Sequence, residues 1–126
     1  MKFLIDENLS IKMAVSLRAI DQNVYHVTEL LTAGSPDVEV LEYAGDKDYF
    51  LITKDNRIRY KPNERDAIRK YKVGVFLLGG KNIPFLETYQ QLIRNWDRIL
   101  DCAANTNRPF IRRIRPNGRT IDVVPI

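Results

Sequence analysis

Three aspartates occupy positions where an α/β chain could do chemistry. Asp6 closes the apolar run Phe3-Leu4-Ile5, and Asp55 lies two residues past Thr53, the end of Tyr49-Phe50-Leu51-Ile52-Thr53. Asp37 follows Gly34-Ser35-Pro36 and opens a helical pattern. A carboxylate at the end of a buried strand is costly unless something neutralises or hydrogen-bonds it. Two at one sheet edge repel each other, so a shared cation accounts for both. Hard oxygen donors favour Mg²⁺ or Mn²⁺ over softer metals. Each acid also has a plainer role available: Asp6 as a helix cap, Asp37 as a partner of a helix dipole, Asp55 as a turn residue. Their joint placement, rather than any one of them, points to a metal site.

The elements that must position these acids read as alternating strands and helices. Phe3-Leu4-Ile5 is a short buried strand, followed by a helix over Leu9–Ile20 in which Met13, Leu17 and Ile20 recur at helical spacing and Ser10 can cap. Val24-Tyr25-His26-Val27 is the second strand. Ser35 can cap the next helix, Pro36 suits its first position, and Asp37 shares a stripe with Leu41 and Ala44 that turns the acid toward the protein. Tyr49–Thr53 is a third strand, Pro62 opens a helix to about Lys72, and Val73–Leu78 is a fourth strand stopped by Gly79-Gly80. Pro84 starts a long helix through Cys102, and the tail pairs Phe110–Ile114 with Ile121–Val124 about Pro116-Asn117-Gly118 as a β-hairpin. The pattern predicts an α/β fold with a central, mostly parallel sheet, helices on both faces and a C-terminal hairpin. Ligands of such sheets bind beyond the carboxyl ends of the strands, where Asp6 and Asp55 stand.

Charge is divided along the chain. Residues 1–53 carry a balance of −5 and residues 54–126 one of +9, so folding can bring carboxylates for a cation beside basic groups for phosphates. Lys54, Arg57, Arg59, Lys61 and Arg65 follow Asp55 closely. Arg57, Arg59 and Lys61 alternate at strand-like spacing and could line a phosphate track, with Tyr60 offering a surface on which a base could stack. Their bland alternative is a solvated loop and helix face. Arg108, Arg112, Arg113, Arg115 and Arg119 form a second basic cluster that could hold substrate or an acidic partner.

Other classes are set aside on composition. Hydrophobic residues at 44% and charged residues at 29% argue against disorder, and no apolar run approaches the roughly 20 residues of a membrane span. Two acids by position 7 leave no signal-peptide hydrophobic region. The lone Cys102 excludes an internal disulfide and suits a reducing cytoplasm, and with the lone His26 it makes a soft-ligand zinc site unsupported. His26 reads as a packed or hydrogen-bonded residue rather than a catalyst. Trp96 and the aromatics near it read as core or oligomer contact, leaving a homodimer open. Gly79-Gly80 lacks a following Lys-Ser/Thr, which argues against a nucleoside triphosphate loop.

Phe3-Leu4-Ile5-Asp6-Glu7-Asn8-Leu9 resembles the opening of PIN-like domains, where a short strand delivers the first catalytic aspartate. Asp37 with Leu41 and Tyr43-Ala44, then Leu51-Ile52-Thr53-Lys54-Asp55, is similar to the second half of that signature. The stretch from Thr53 to Glu64 and on through Val73–Leu78 resembles compact toxins of the VapC type, and the likeness covers roughly residues 1–100 of one domain spanning 1–126, with 105–126 a basic extension. It implies a Mg²⁺- or Mn²⁺-dependent endoribonuclease acting on RNA, with Asp6, Asp37 and Asp55 as its acids and a cognate antitoxin as partner. The family carries a further glutamate between the first and third acids. Glu29 is the only acid in the segment Asn23–Ser35 and does not match clearly, so Asn8, Glu39 or Glu64 could complete the shell.

Two other classes remain open on the sequence. One is a noncatalytic nucleic-acid-binding or regulatory module, supported by the unassigned acid. The other is a phosphotransfer protein using a strand-end aspartate, for which Lys81 would have to serve as the partner lysine.

Overall fold

The computed structural model describes residues 1–126 and contains an α/β fold around one six-stranded sheet. The strands are β1 (Lys2–Ile5), β2 (Val24–His26), β3 (Tyr49–Thr53), β4 (Gly74–Leu78), β5 (Phe110–Ile114) and β6 (Ile121–Val124). Their order is β2-β1-β3-β4-β5-β6, and every neighbouring pair is parallel except the terminal hairpin β5–β6. The chain steps outward from β1 to β2, then returns to build the sheet on the other side of β1 from β3 onward. The switch point therefore lies between β1 and β3, where the crossovers leave an open crevice above the carboxyl ends.

Six helices cover the sheet: α1 (Ile11–Ala19), α2 (Val27–Leu30), α3 (Asp37–Asp46), α4 (Pro62–Tyr71), α5 (Phe85–Arg94) and α6 (Trp96–Asn105). Strand alternation separates two cores. Phe3, Ile5, Phe50, Ile52, Phe76 and Leu78 face α1, α5 and α6. Leu4, Leu51 and Val75 face α3 and α4 through Leu41, Ala44, Ala67 and Ile68. Gly45 makes the α3–α4 approach close: a Cβ there would lie 2.4 Å from the Tyr71 carbonyl oxygen.

Several boundaries differ from those read off the sequence. The first helix starts at Ile11, because Ser10 is its N-cap and accepts from the Lys12 N–H. At α3 the N-cap is Pro36, while the Ser35 hydroxyl donates to the Thr32 carbonyl and caps nothing. The expected long helix from Pro84 to Cys102 is two helices that meet at Asn95. The buried Asn95 amide donates to the Gln91 carbonyl over 2.8 Å, a side-chain bond that competes with the backbone ladder and turns the chain. The strand-like alternation expected of Arg57, Arg59 and Lys61 is absent. Asn56–Arg59 is a 3₁₀ turn capped by Asp55, whose carboxylate accepts from the Arg57 N–H.

Candidate metal centre and its surroundings

The Asp6 carboxylate is held from two sides where β1 ends. Oδ1 accepts from the Glu7 N–H over 2.8 Å, and Oδ2 accepts from the Thr53 hydroxyl over 2.7 Å. Thr53 is fully buried and uses its whole hydrogen-bonding capacity. Besides donating to Asp6, its Oγ1 accepts from the Asn8 amide and from the Asp55 N–H, both at 3.1 Å. One hydroxyl thus ties the end of β1 to the chain leaving β3. Burial raises the Asp6 pKa against the pull of these two hydrogen bonds, and the charges of Asp37 and Asp55 raise it further.

Asp37 arrives from the first turn of α3 and Glu64 from the first turn of α4. Oxygens of Asp37, Asp55 and Glu64 all lie within 4.8 Å of one another. Glu64 is buried, and its Oε2 has no hydrogen-bond partner. Its pKa is pushed up to about 7, first by burial, then by a hydrogen bond to Asp37, then by the charges of Asp37 and Asp55. Asp55 is shifted the other way. The Arg57 guanidinium donates to both its oxygens at 3.0 and 3.1 Å and holds its pKa below the usual carboxylate range.

These side chains fit a hard cation. Opposite oxygens around Mg²⁺ lie about 4.2 Å apart, twice the metal–oxygen bond, so the trio needs little movement to close on one ion. A cation held there would also compensate the buried Glu64 carboxylate, whose Oε2 has no hydrogen-bond partner. Asp6, Asn8, Asp37, Asp55 and Arg57 line a common cleft of about 300 Å³ beside the trio.

The sequence candidates therefore divide. Asp37, Asp55 and Glu64 converge, Asp6 stands in the same cleft, and Asn8 braces Thr53. Glu39 is exposed on α3 and is not among the cleft-lining residues. Glu29 is occupied elsewhere, pairing both oxygens with Arg18 and accepting from the His26 N–H. His26 is packed as expected: Nε2 donates to the Leu9 carbonyl and Nδ1 accepts from Thr28. Among the basic residues, Arg57 is engaged with Asp55, and Arg65 donates to the Arg59 carbonyl. Lys61 is exposed but close enough to lower the pKa of both Asp55 and Glu64. Lys54 and Arg59 line a neighbouring cleft instead.

Two positioning residues escaped the sequence reading. Thr53 was read as the end of a strand rather than as the hydroxyl linking two acids. Glu7 accepts from the Gly34 N–H over 2.8 Å and so anchors the loop that delivers Asp37. A polar residue ending an otherwise apolar strand was the available signal for Thr53.

Residues 1–80 match the family model described as a PIN-like domain. The chain belongs to the PIN-like domain family. No curated protein and no solved structure matches it. The matched region of this PIN-like domain contains all four clustered acids and ends at Gly80, before Lys81 and the β5–β6 hairpin. No helix is long and apolar enough to cross a membrane.

Proposed function

We propose that this PIN-like protein is a divalent-metal-dependent endoribonuclease that hydrolyses RNA phosphodiester bonds. The observation that carries the reading is the convergence of Asp37, Asp55 and Glu64 within 4.8 Å, beside Asp6, at the switch point of the sheet. Asp37, Asp55 and Glu64 would hold Mg²⁺ or Mn²⁺, with Asp6 lining the same cleft. The bound ion would supply Lewis-acid stabilisation of charge on the phosphate and a more acidic water.

The remaining work falls to the chain. Glu64, when protonated, donates to Asp37, and that proton leaves the pair as positive charge enters the cleft. Asp6 has a raised pKa and is fixed in direction by Thr53 and the Glu7 N–H, which suits it to accept a proton from an attacking water. Arg57 restrains Asp55 until another cation takes its place, then is free to approach the substrate. No lysine lines the acidic cleft, and Lys81 faces the neighbouring one, so a phosphotransfer site pairing Asp6 with Lys81 has no support.

At the finer level we propose a VapC-type toxin acting in the cytoplasm and restrained by a cognate antitoxin. The convergence of Asp37, Asp55 and Glu64 and the basic residues beside them favour that reading over a noncatalytic module. Purified protein and Asp6→Asn are incubated with a structured RNA in Mg²⁺, Mn²⁺ or EDTA. Cleavage by the parent alone, and only with metal, supports the reading. Equal cleavage by both proteins places the chemistry elsewhere, and none by either under any ion favours the noncatalytic module.

A further inference from the structure

Next to the acidic cleft lies a second one of about 500 Å³ with the opposite character. Its charged lining is entirely cationic: Lys54, Arg59, Lys81 and Arg113, closed on one side by Gly79-Gly80. None of the four forms an ion pair with a carboxylate. Nε of Arg59 and Nε of Arg113 are shielded from solvent without a hydrogen-bond partner, and the Arg113 guanidinium donates to no protein atom. Asp122, across the strand pair from Arg113, is already gripped by Arg115, so four converging cations, two with an unmet Nε donor, form a concave positive field that an oxyanion would relieve.

Arg113 is set apart from the other tail arginines. Arg108 pairs with Asp48, Arg115 grips Asp122 with two nitrogens, and Arg119 pairs with Asp97. Arg112 lies over the Phe110 ring. Arg113 instead reaches β4, where Gly79 leaves it room: a Cβ on Gly79 would stand 2.8 Å from the guanidinium carbon and 2.9 Å from the Ile114 carbonyl oxygen.

The two clefts share a wall. Along the segment leaving β3, Lys54, Asn56 and Arg59 line the basic cleft, whereas Asp55 and Arg57 line the acidic one. Neighbouring residues on a ridge one chain thick are about 3.8 Å apart, so one extended nucleic-acid strand could cross it with successive phosphates on either side. We propose that the Lys54–Arg59–Lys81–Arg113 cleft is a phosphate subsite. It holds a backbone phosphate of an RNA strand beside the phosphodiester presented to the acids, and it rests on the nuclease reading for that second half. Lys54 and Arg59 lie inside the matched family region and Lys81 and Arg113 beyond it, so the subsite joins residues from both parts of the chain.

The test uses the full chain in EDTA, where binding is measured without metal. Anisotropy of a labelled single-stranded oligoribonucleotide is titrated at several salt concentrations for the parent, Lys81→Ala, Arg113→Ala and Arg115→Ala. Loss of one phosphate contact should lower the log–log salt slope by roughly 0.7, with severalfold weaker binding, for Lys81→Ala and Arg113→Ala. Arg115→Ala should match the parent. Lys81 sits on an exposed loop, so its variant remains informative should Arg113→Ala fold poorly. Unchanged affinity and slope in Lys81→Ala overturn the proposal. Two competitors identify the source of the phosphate. A 5′-mononucleotide that binds as tightly as the oligonucleotide overturns the strand subsite. So does an oligoglutamate peptide whose binding, unlike that of RNA, depends on Lys81 and Arg113. Altered slopes with no cleavage in Mg²⁺ or Mn²⁺ leave the anion subsite standing and remove only the nuclease reading. Cleavage with unchanged slopes does the reverse.

Discussion

The Thr53 hydroxyl donates to Oδ2 of Asp6 over 2.7 Å, across the junction of two parallel strands. Because the same oxygen accepts from the Asp55 N–H at 3.1 Å, the relative position of two acids depends on one buried atom. Thr53→Val keeps the shape and removes that atom. It should cost about 1–3 kcal/mol of stability, since a carboxylate and an N–H lose their partner. RNA cleavage should fall more than tenfold while Thr53→Ser retains most of it. Urea unfolding with parallel cleavage rates checks this, and parent-like activity in the valine variant would show that the hydroxyl positions nothing.

Stability without metal should fall as pH rises through the weakly acidic range. Glu64 has a folded pKa of about 7 against an ordinary value of 4.5, so the folded state keeps a proton that the unfolded state releases. Its contribution is fully present below about pH 4.5 and lost as pH approaches 7. Asp6, also raised, acts in the same direction. The Glu64 effect should be on the order of 1–2 kcal/mol after allowance for screening at the cleft mouth. Glu64→Gln should flatten this fall. Thermal melts in EDTA between pH 4.5 and 8 measure it, and an identical slope in the glutamine variant would assign the dependence to other groups.

Added Mn²⁺ should act with the opposite pH dependence. Protons compete with the cation for Glu64 and Asp6, so the rise in melting temperature on adding metal should be larger at pH 8 than at pH 5.5. A pH-independent rise would mean that the ion binds away from these acids.

Gly45→Ala probes how the metal ligands are brought together. The new methyl would meet the Tyr71 carbonyl, which belongs to backbone and cannot swing aside. Overpacking should cost about 1–3 kcal/mol and push α3 from α4, separating Asp37 from Glu64. Mn²⁺ affinity should fall with the stability, as calorimetry can establish. Parent-like affinity would show that the two helix starts do not depend on this contact.

Much of this arrangement is legible in the sequence, and the illegible parts share a cause. Asp6 and Asp55 stand out because an apolar strand ends in charge, and alternating patterns supply the parallel sheet that gathers strand ends. Glu64 carries a signal too: Ala67 and Ile68 follow at i+3 and i+4, so it lies on the buried side of α4, whereas Asp37, expected to turn toward the protein, is exposed at the first turn of α3. What one strip of sequence does not reveal is that Gly45 and Tyr71 let α3 and α4 pack closely at their far ends. The break at Asn95 stayed hidden because the apolar stripe continues through it. The basic cleft was hidden more deeply, since Arg113 and Lys54 are far apart in sequence and adjoin only through β4.

The account rests on a divalent cation shared by Asp37, Asp55 and Glu64. Mn²⁺ binding followed by electron paramagnetic resonance, on parent, Asp37→Asn and Glu64→Gln, tests it most directly. The parent should bind Mn²⁺ competitively with Mg²⁺, and each variant should bind at least tenfold more weakly while remaining folded, because replacing an acid also relieves repulsion in the empty cluster. Mn²⁺ binding that is absent from the parent, or equal in all three proteins, would contradict it.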